Sequence, residues 1–269
     1  MKGTAPSVSQ PPQCYQRQAT SPYCPQLTVF CDFDGPIVDV SRRYYTTYQL
    51  ALAETQELYQ AQDEILPITM LKLQQFWQMK QERVPDVEIA MRSGLAGEQI
   101  DIFLQCVVNI VNQPALLQKD KMQPGVNWAL PLLHSQGFKL VLVTLRSSSQ
   151  VTQILQNYGL ARLFSGIYGT EDDDAAYVNY AHVKTQLLEK AISQHSHPNR
   201  ESSLAWMVGD TEADILAGQA VAIPTIALTC GIRSRQRLQQ FQPTCIHSDL
   251  LSVAHYLLEV NSPRLMPKC

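Results

Sequence analysis

The chain has 269 residues, 45% of them hydrophobic and 17% charged, with a formal net charge of −3. That length allows one sizeable domain with an insertion, or two small ones, and either buries enough core to fold without staples. The near-balanced charge gives no reason to expect a polyanion-binding surface, and the seven cysteines, odd in number and lacking a Cys-x-x-Cys pair, indicate neither a disulfide framework nor a zinc site.

Residues 1–26 are broken repeatedly by Pro, Gln and Ser, hold no long apolar stretch suited to secretion or membrane spanning, and read as a disordered arm. Leu27 to Cys31, with Thr28 inside it, is an apolar run typical of a short buried strand, and polarity changes abruptly at Asp32. An extended chain through Phe33 puts Asp32 and Asp34 on one side, and Gly35 permits the turn that follows. Two acids then converge at the carboxyl edge of a strand, where open α/β sheets bind ligands. Like charges so close need a cation, a proton or a substrate. Taken alone, the segment also suits a capping Asp32 followed by an Asp34-Gly35 turn.

Ser41 as N-cap opens a helix on which Tyr44, Tyr45, Tyr48, Leu52 and Leu58 recur near helical spacing. Pro67 breaks the pattern, Leu71 to Met79 resumes it around Phe76 and Trp77, and Asp86 caps a short helix that stops near Gly94. Ile100, Phe103, Leu104, Val107, Val108 and Val111 form a wide apolar stripe before Pro114. With no strand signal between Val40 and Gln123, this stretch reads as a helical module inserted after the first strand. From Pro124-Gly125 the rhythm is α/β. A helix over Val126 to Gln136, with Leu130 and Leu133 inward, precedes a buried strand over Lys139 to Thr144. Helices follow at Ser149 to Tyr158, Ala181 to Ser193, Thr211 to Ala220 and Leu250 to Glu259. Strands are expected at Leu163 to Tyr168, Leu204 to Val208, Ala222 to Leu228 and Cys245 to His247, with Pro224 suggesting an edge position for its strand.

A second acidic strand end is Gly209-Asp210-Thr211-Glu212-Ala213-Asp214, where Asp210 and Asp214 are four apart on one helix face. By themselves they also suit capping and helix-dipole complementarity. Right-handed crossovers between parallel strands bring Asp32, Asp34, Thr144 and Asp210 to one sheet edge. Hard oxygen ligands without His or Cys suit Mg²⁺.

In this order the set resembles the haloacid dehalogenase superfamily, specifically its phosphatase branch of the phosphoglycolate phosphatase type, from Thr28 to about Glu259. The family's Asp-x-Asp-Gly-Thr motif matches Asp32-Phe33-Asp34-Gly35, with Pro36 standing where Thr is usual; Thr144 closes the second-motif strand, and Asp210 and Asp214 fit Gly-Asp-x-x-x-Asp. The third-motif Lys is matched by Lys184, near the start of its helix, better than by Lys190, which points toward solvent. The resemblance implies an α/β fold: a Rossmann-like, doubly wound parallel sheet in three layers over 27–39 and 124–260, a helical cap over 40–123 and a tail over 261–269. It implies a Mg²⁺-dependent phosphatase acting on a small phosphorylated metabolite, while the cysteine usage fits a reducing, cytoplasmic setting and the composition gives no sign of nucleic acid or membrane partners. Asp32 would be the nucleophile and Asp34 the acid and base, its pKa raised by a neighbouring carboxylate, with Thr144 and Lys184 on the phosphoryl oxygens. Asp32, the Asp34 carbonyl, Asp210 and Asp214 would hold the metal. A sugar-phosphate mutase would use the same residues, and a non-catalytic binding protein on the same fold is a third reading; Asp34 argues against a dehalogenase.

Arg43, Lys80, Arg83 and Arg92 could reach a substrate carboxylate from the cap, although solvated helix faces account for most such charges, and Arg146 lies close enough to Thr144 to compete with them. His195-Ser196-His197-Pro198 reads as a polar loop, Phe76-Trp77 as packing, and Cys31 as a small inert hydrophobe.

Overall fold

The computed structural model describes residues 27–171, 175–195 and 205–261, so the expected arm at 1–26 and most of the tail at 261–269 lie outside the described residues. Strand β1 (Thr28–Cys31) is followed by a tight turn, the two-residue β2 (Val38–Asp39), and helices α1 (Ser41–Gln60), α2 (Leu73–Gln81), α3 (Asp86–Arg92), α4 (Glu98–Val111) and α5 (Pro114–Leu117). The chain returns through β3 (Lys121–Met122), α6 (Val126–Ser135), β4 (Lys139–Ser147), α7 (Ser148–Asn157), β5 (Phe164–Thr170), α8 (Ala175–Val178) and α9 (Ala181–His195). It ends with β6 (Ala205–Gly209), α10 (Glu212–Ala220), β7 (Thr225–Leu228), α11 (Arg235–Gln239), β8 (Cys245–His247) and α12 (Leu250–Asn261).

Six parallel strands lie in the order β5-β4-β1-β6-β7-β8, which puts β1 between β4 and β6. Side chains alternate faces along a strand, and here each face meets its own helices. Val29, Cys31, Leu140 and Leu142 join α6, α7 and α12 in one core, whereas Phe30, Val141, Val143 and Met207 join Leu188 and Ala191 of α9 and Ala217 of α10 in another. Burial on both faces explains why these strands read as unbroken apolar runs. Each fully buried Val, Leu or Phe contributes about 1.5–3 kcal/mol. Cys31 pairs with Leu142 on one side and Val208 on the other, so Asp32, Thr144 and Asp210 lie at the same edge, Thr144 within β4, which runs on past the expected strand end to Ser147.

Between β2 and β3 the chain is helical. Tyr48 stacks on Phe76 at 4.9 Å and meets Phe103 edge-on at 6.2 Å, while its hydroxyl lies 2.8 Å from Ser93 Oγ and accepts from the Leu71 amide. The insert thus has its own aromatic core, and Phe76 is a packing residue.

Several sequence expectations change. Lys121–Met122 is a strand, pairing antiparallel with Val38–Asp39; two residues are too few for any periodicity to show. β7 is interior between β6 and β8, because Pro224 precedes the strand and presents only its carbonyl, which accepts from Met207 N. Leu58 is exposed at the end of α1, and Ser41 is the first helical residue, its amide donating to Asp39 Oδ1 at 2.8 Å. His195 is the last residue of α9 rather than part of a loop, and 196–200 lie outside the described residues.

Candidate active site

Asp32 immediately follows β1, with its carboxylate buried. Lys184, on the first turn of α9, reaches Asp32 Oδ1 at 2.7 Å and Asp214 Oδ1 at 2.9 Å. Asp210 follows β6, its Oδ2 accepting from Ile232 N at 2.5 Å. Asp214 sits in the first turn of α10, where its Oδ2 takes the Thr211 hydroxyl and amide in a capping box. Oxygens of Asp32, Asp210 and Asp214 lie within 4.8 Å of one another. Three buried carboxylates thus face one lysine.

That imbalance shows in the proton affinities. Burial pushes the Asp32 carboxyl up to about 7, Asp214 adding to the shift and Lys184 opposing it. Burial, then Asp214 and Asp32, drive Asp210 well above the ordinary carboxylate range. Burial disfavours charge on Lys184 as well, but the carboxylates of Asp214 and Asp32 outweigh it, and the ammonium stays protonated.

The donor set fits a divalent cation. Asp210 Oδ1 is buried without a hydrogen-bond partner, and so is Asp214 Oδ1 apart from its ion pair with Lys184. A Cβ on Gly35 or Gly231 would collide with the Asp210 carboxylate, so both glycines keep its approach open, Gly35 at φ 95° besides. All-oxygen carboxylate ligands suit Mg²⁺.

Asp34, two residues after Asp32, belongs to a different arrangement. Its Oδ2 accepts from Arg43 Nη2 at 3.0 Å and its Oδ1 lies 3.1 Å from Arg146 Nη2. Asp120 closes the circle, receiving Arg43 Nε at 3.0 Å and Arg146 Nη2 at 2.5 Å. The expected carboxylate neighbour of Asp34 is therefore not what it touches: its charged contacts are two guanidinium groups. Arg43 is 1% exposed, which overturns its reading as a cation of a solvated face, and its guanidinium nitrogens are engaged with Asp34, Asp120 and Asn112. The turn that follows has Pro36 without a hydroxyl and is tied by its backbone, Ile37 N donating to Phe33 O, and by Gln123 Nε2 donating to Gly35 O at 2.9 Å.

Asp32, Asp34 and Thr144 line a cavity of about 360 Å³ whose opposite wall is formed by Tyr44, Lys80, Arg83 and Asp86 of the insert. Lys80 Nζ lies 2.6 Å from Asp86 and donates to Tyr177 Oη at 2.9 Å; burial lowers its pKa and Asp86 opposes the change. Arg83 and Arg233 both pair with Glu212, and Arg233 Nη1 also donates to Lys80 O at 2.9 Å. Of the other cations weighed from sequence, Arg92 is exposed beside Glu88, and Lys190 is exposed on α9. Asp120, Tyr177 and Arg233 carry no motif, and only the fold brings them to the site, while Glu212 is one of the unspecified positions between Asp210 and Asp214.

A family model described as haloacid dehalogenase-like hydrolase matches residues 29–228. The chain belongs to that family. It is 30% identical over 245 residues to a phosphoglycolate phosphatase of Psychrobacter arcticus, covering 87% of this chain and 96% of the relative. It is 23% identical to pyrophosphatase PpaX of Listeria welshimeri, over 84% of this chain and 95% of that one. A haloacid dehalogenase-like hydrolase structure from Streptococcus pneumoniae superposes with a TM-score of 0.63 at 21% identity, over 86% of this chain and 98% of that one. These relatives place this haloacid dehalogenase-like hydrolase on the phosphoglycolate phosphatase-like branch, among phosphoric monoester hydrolases. Among the described residues no helix is long and apolar enough to cross a membrane.

Proposed function

We propose that the protein is a Mg²⁺-dependent phosphatase of a small phosphorylated metabolite, phosphoglycolate-like or a sugar phosphate, acting through an aspartyl-phosphate on Asp32. The observation that carries this reading is Lys184 bridging Asp214 and Asp32, of which Asp32 lines a cavity that the helical insert also lines. A phosphate monoester is anionic and hydrolyses very slowly unaided, so charge must be neutralised while a nucleophile reaches phosphorus. The carboxylates of Asp32, Asp210 and Asp214 and the Asp34 carbonyl would hold Mg²⁺, which when bound supplies positive charge to the phosphoryl oxygens.

The chain's own groups do the rest. Asp32 forms a bond to phosphorus as the bond to the ester oxygen breaks, and Asp34 delivers a proton to that oxygen. Asp34 then takes a proton from the water that attacks phosphorus, releasing Asp32 and inorganic phosphate. Lys184 and the Thr144 hydroxyl hold phosphoryl oxygens. Residues 40–123 act as a cap over a core of 27–39 and 124–260, excluding water from the reacting atoms. Lys80, Arg83 and Arg233 on the cavity wall favour a leaving group that carries its own negative charge, though each already has an acidic partner. The four unpaired cysteines among the described residues suit a reducing cytoplasm.

The test is hydrolysis of p-nitrophenyl phosphate and a panel of phosphorylated metabolites with Mg²⁺, by the wild-type chain and by Asp32→Asn. Release of inorganic phosphate, lost on substitution with the fold intact, is expected; interconversion of sugar-phosphate isomers would point to a mutase. Activity that survives Asp32→Asn, or that ignores a chelator, contradicts the reading.

A further inference from the structure

Asp34, Arg43, Asp120 and Arg146 form a closed ring of alternating charge, all four side chains buried. Such a ring is costly to bury and is weak evidence for stability in itself. Its construction nevertheless serves one side chain. Arg43 comes from α1 and Asp120 from the link between α5 and β3, both in the insert, whereas Arg146 comes from β4 and Asp34 from the turn after β1. Asp120 uses one oxygen for each arginine, and the arginines in turn flank the two oxygens of Asp34. Arg43 is fastened further by Nη1, which donates to Asn112 Oδ1 at 3.2 Å and to Val111 O at 3.4 Å.

The two Asp34 oxygens are not equivalent. Oδ2 is engaged in a hydrogen bond with Arg43, while Oδ1 has an ion-pair contact but no hydrogen bond, and Asp34 lines the cavity beside Asp32 and Thr144. We infer that Arg43 and Arg146, braced by Asp120, are positioning residues: they fix the orientation of the Asp34 carboxyl beside Asp32 and Thr144, where it exchanges a proton with the leaving oxygen and the attacking water. None of the three lines the cavity. The inference rests on the reading of Asp34 as acid and base. It adds that the acid is assembled only where insert and core meet, since each contributes one arginine.

The experiment compares kcat/KM for 2-phosphoglycolate, whose alkoxide leaving group needs a proton, with kcat/KM for p-nitrophenyl phosphate, whose leaving group does not. This quotient isolates phosphoryl transfer to Asp32 from the later hydrolysis. Asp34→Asn should lower it on the alkyl ester by roughly 10²–10⁴ and on the aryl ester far less. Arg43→Lys, Arg146→Lys and Asp120→Asn should shift the alkyl-to-aryl ratio in the same direction by about 10-fold or more. Arg43→Lys added to Asp34→Asn should change the ratio no further. A purely structural role lowers both substrates together, and that result, or an unchanged ratio in the variants that fold, overturns the inference. If Asp34→Asn itself leaves the ratio untouched, the acid-base reading fails first and the positioning role falls with it. Three single variants on different elements keep the test decisive should one fail to fold, as circular dichroism would show.

Discussion

Asp32 and Asp34 are two residues apart, yet they belong to opposite kinds of charge cluster. Around Asp32, three carboxylates meet one lysine, and oxygens of Asp210 and Asp214 are left without hydrogen bonds. Around Asp34, two carboxylates meet two guanidinium groups in a closed ring. A buried cluster with more carboxylates than cations calls for added positive charge, and its donor set suits a divalent cation. A balanced one needs no added charge and holds its own members in place. Turn geometry makes the division possible, since positive φ at Gly35 swings the chain away immediately after Asp34.

The largest effect that would break this contrast is on activity. Asp32→Asn keeps the shape of the cluster but removes the nucleophile, and kcat should fall by on the order of 10⁴ or more, measured as phosphate release. Next comes stability, where one type of substitution should have opposite signs in the two clusters. Asp120→Asn strips the ring of a charge and leaves a buried guanidinium uncompensated, at a cost of about 3 kcal/mol or more and roughly 5–10 °C in melting temperature. Asp210→Asn, in protein stripped of metal by a chelator, relieves repulsion with Asp32 and Asp214 and should raise the melting temperature by a few degrees.

Metal and pH sharpen the same point. The Asp32 carboxyl sits at about 7 in the fold against 3.8 ordinarily, and Asp210 is raised as well, so between about pH 4 and 7 the metal-free folded state binds more protons than the unfolded chain. Stability of metal-free protein therefore falls as pH rises through that window. A divalent cation needs the ionised carboxylates, so its stabilisation should be small at pH 5 and grow to about 5–10 °C at pH 8 with Mg²⁺ well above its dissociation constant. Thermal unfolding with Mg²⁺ or chelator at both pH values checks this; a shift independent of pH contradicts it. The smallest effect belongs to Arg92, exposed beside Glu88, where Arg92→Ala should change stability by no more than about 0.5 kcal/mol and leave substrate ranking alone.

What the sequence discloses follows from how local each signal is. β1, β6 and the first part of β4 are legible because a strand buried on both faces reads as an apolar run, and the acids that follow β1 and β6 stand out against it. Lys184 is legible through its place on the first turn of α9. Asp120 is not, because it sits 77 residues from Arg43 and nothing near it in the chain marks its partners. Arg43 misleads, since a cation early in an amphipathic helix normally faces water, and only the return of the chain at β3 buries it. Arg233 and Glu212 meet Arg83 and Lys80 across the cavity for the same reason: long-range ion pairs leave no period in the sequence.

The central claim is that the unbalanced cluster is where the covalent chemistry occurs and the balanced one serves it. In Asp34→Asn the water-activating group is gone, while an aryl phosphate can still transfer its phosphoryl group without an acid. Mixed with p-nitrophenyl phosphate and Mg²⁺ and quenched in acid, that variant should release about one equivalent of nitrophenol per chain in a burst and carry one phosphoryl group on the peptide containing Asp32, as read by mass spectrometry. A burst with the label on another residue, or nitrophenol release with no label on the protein, would contradict the account.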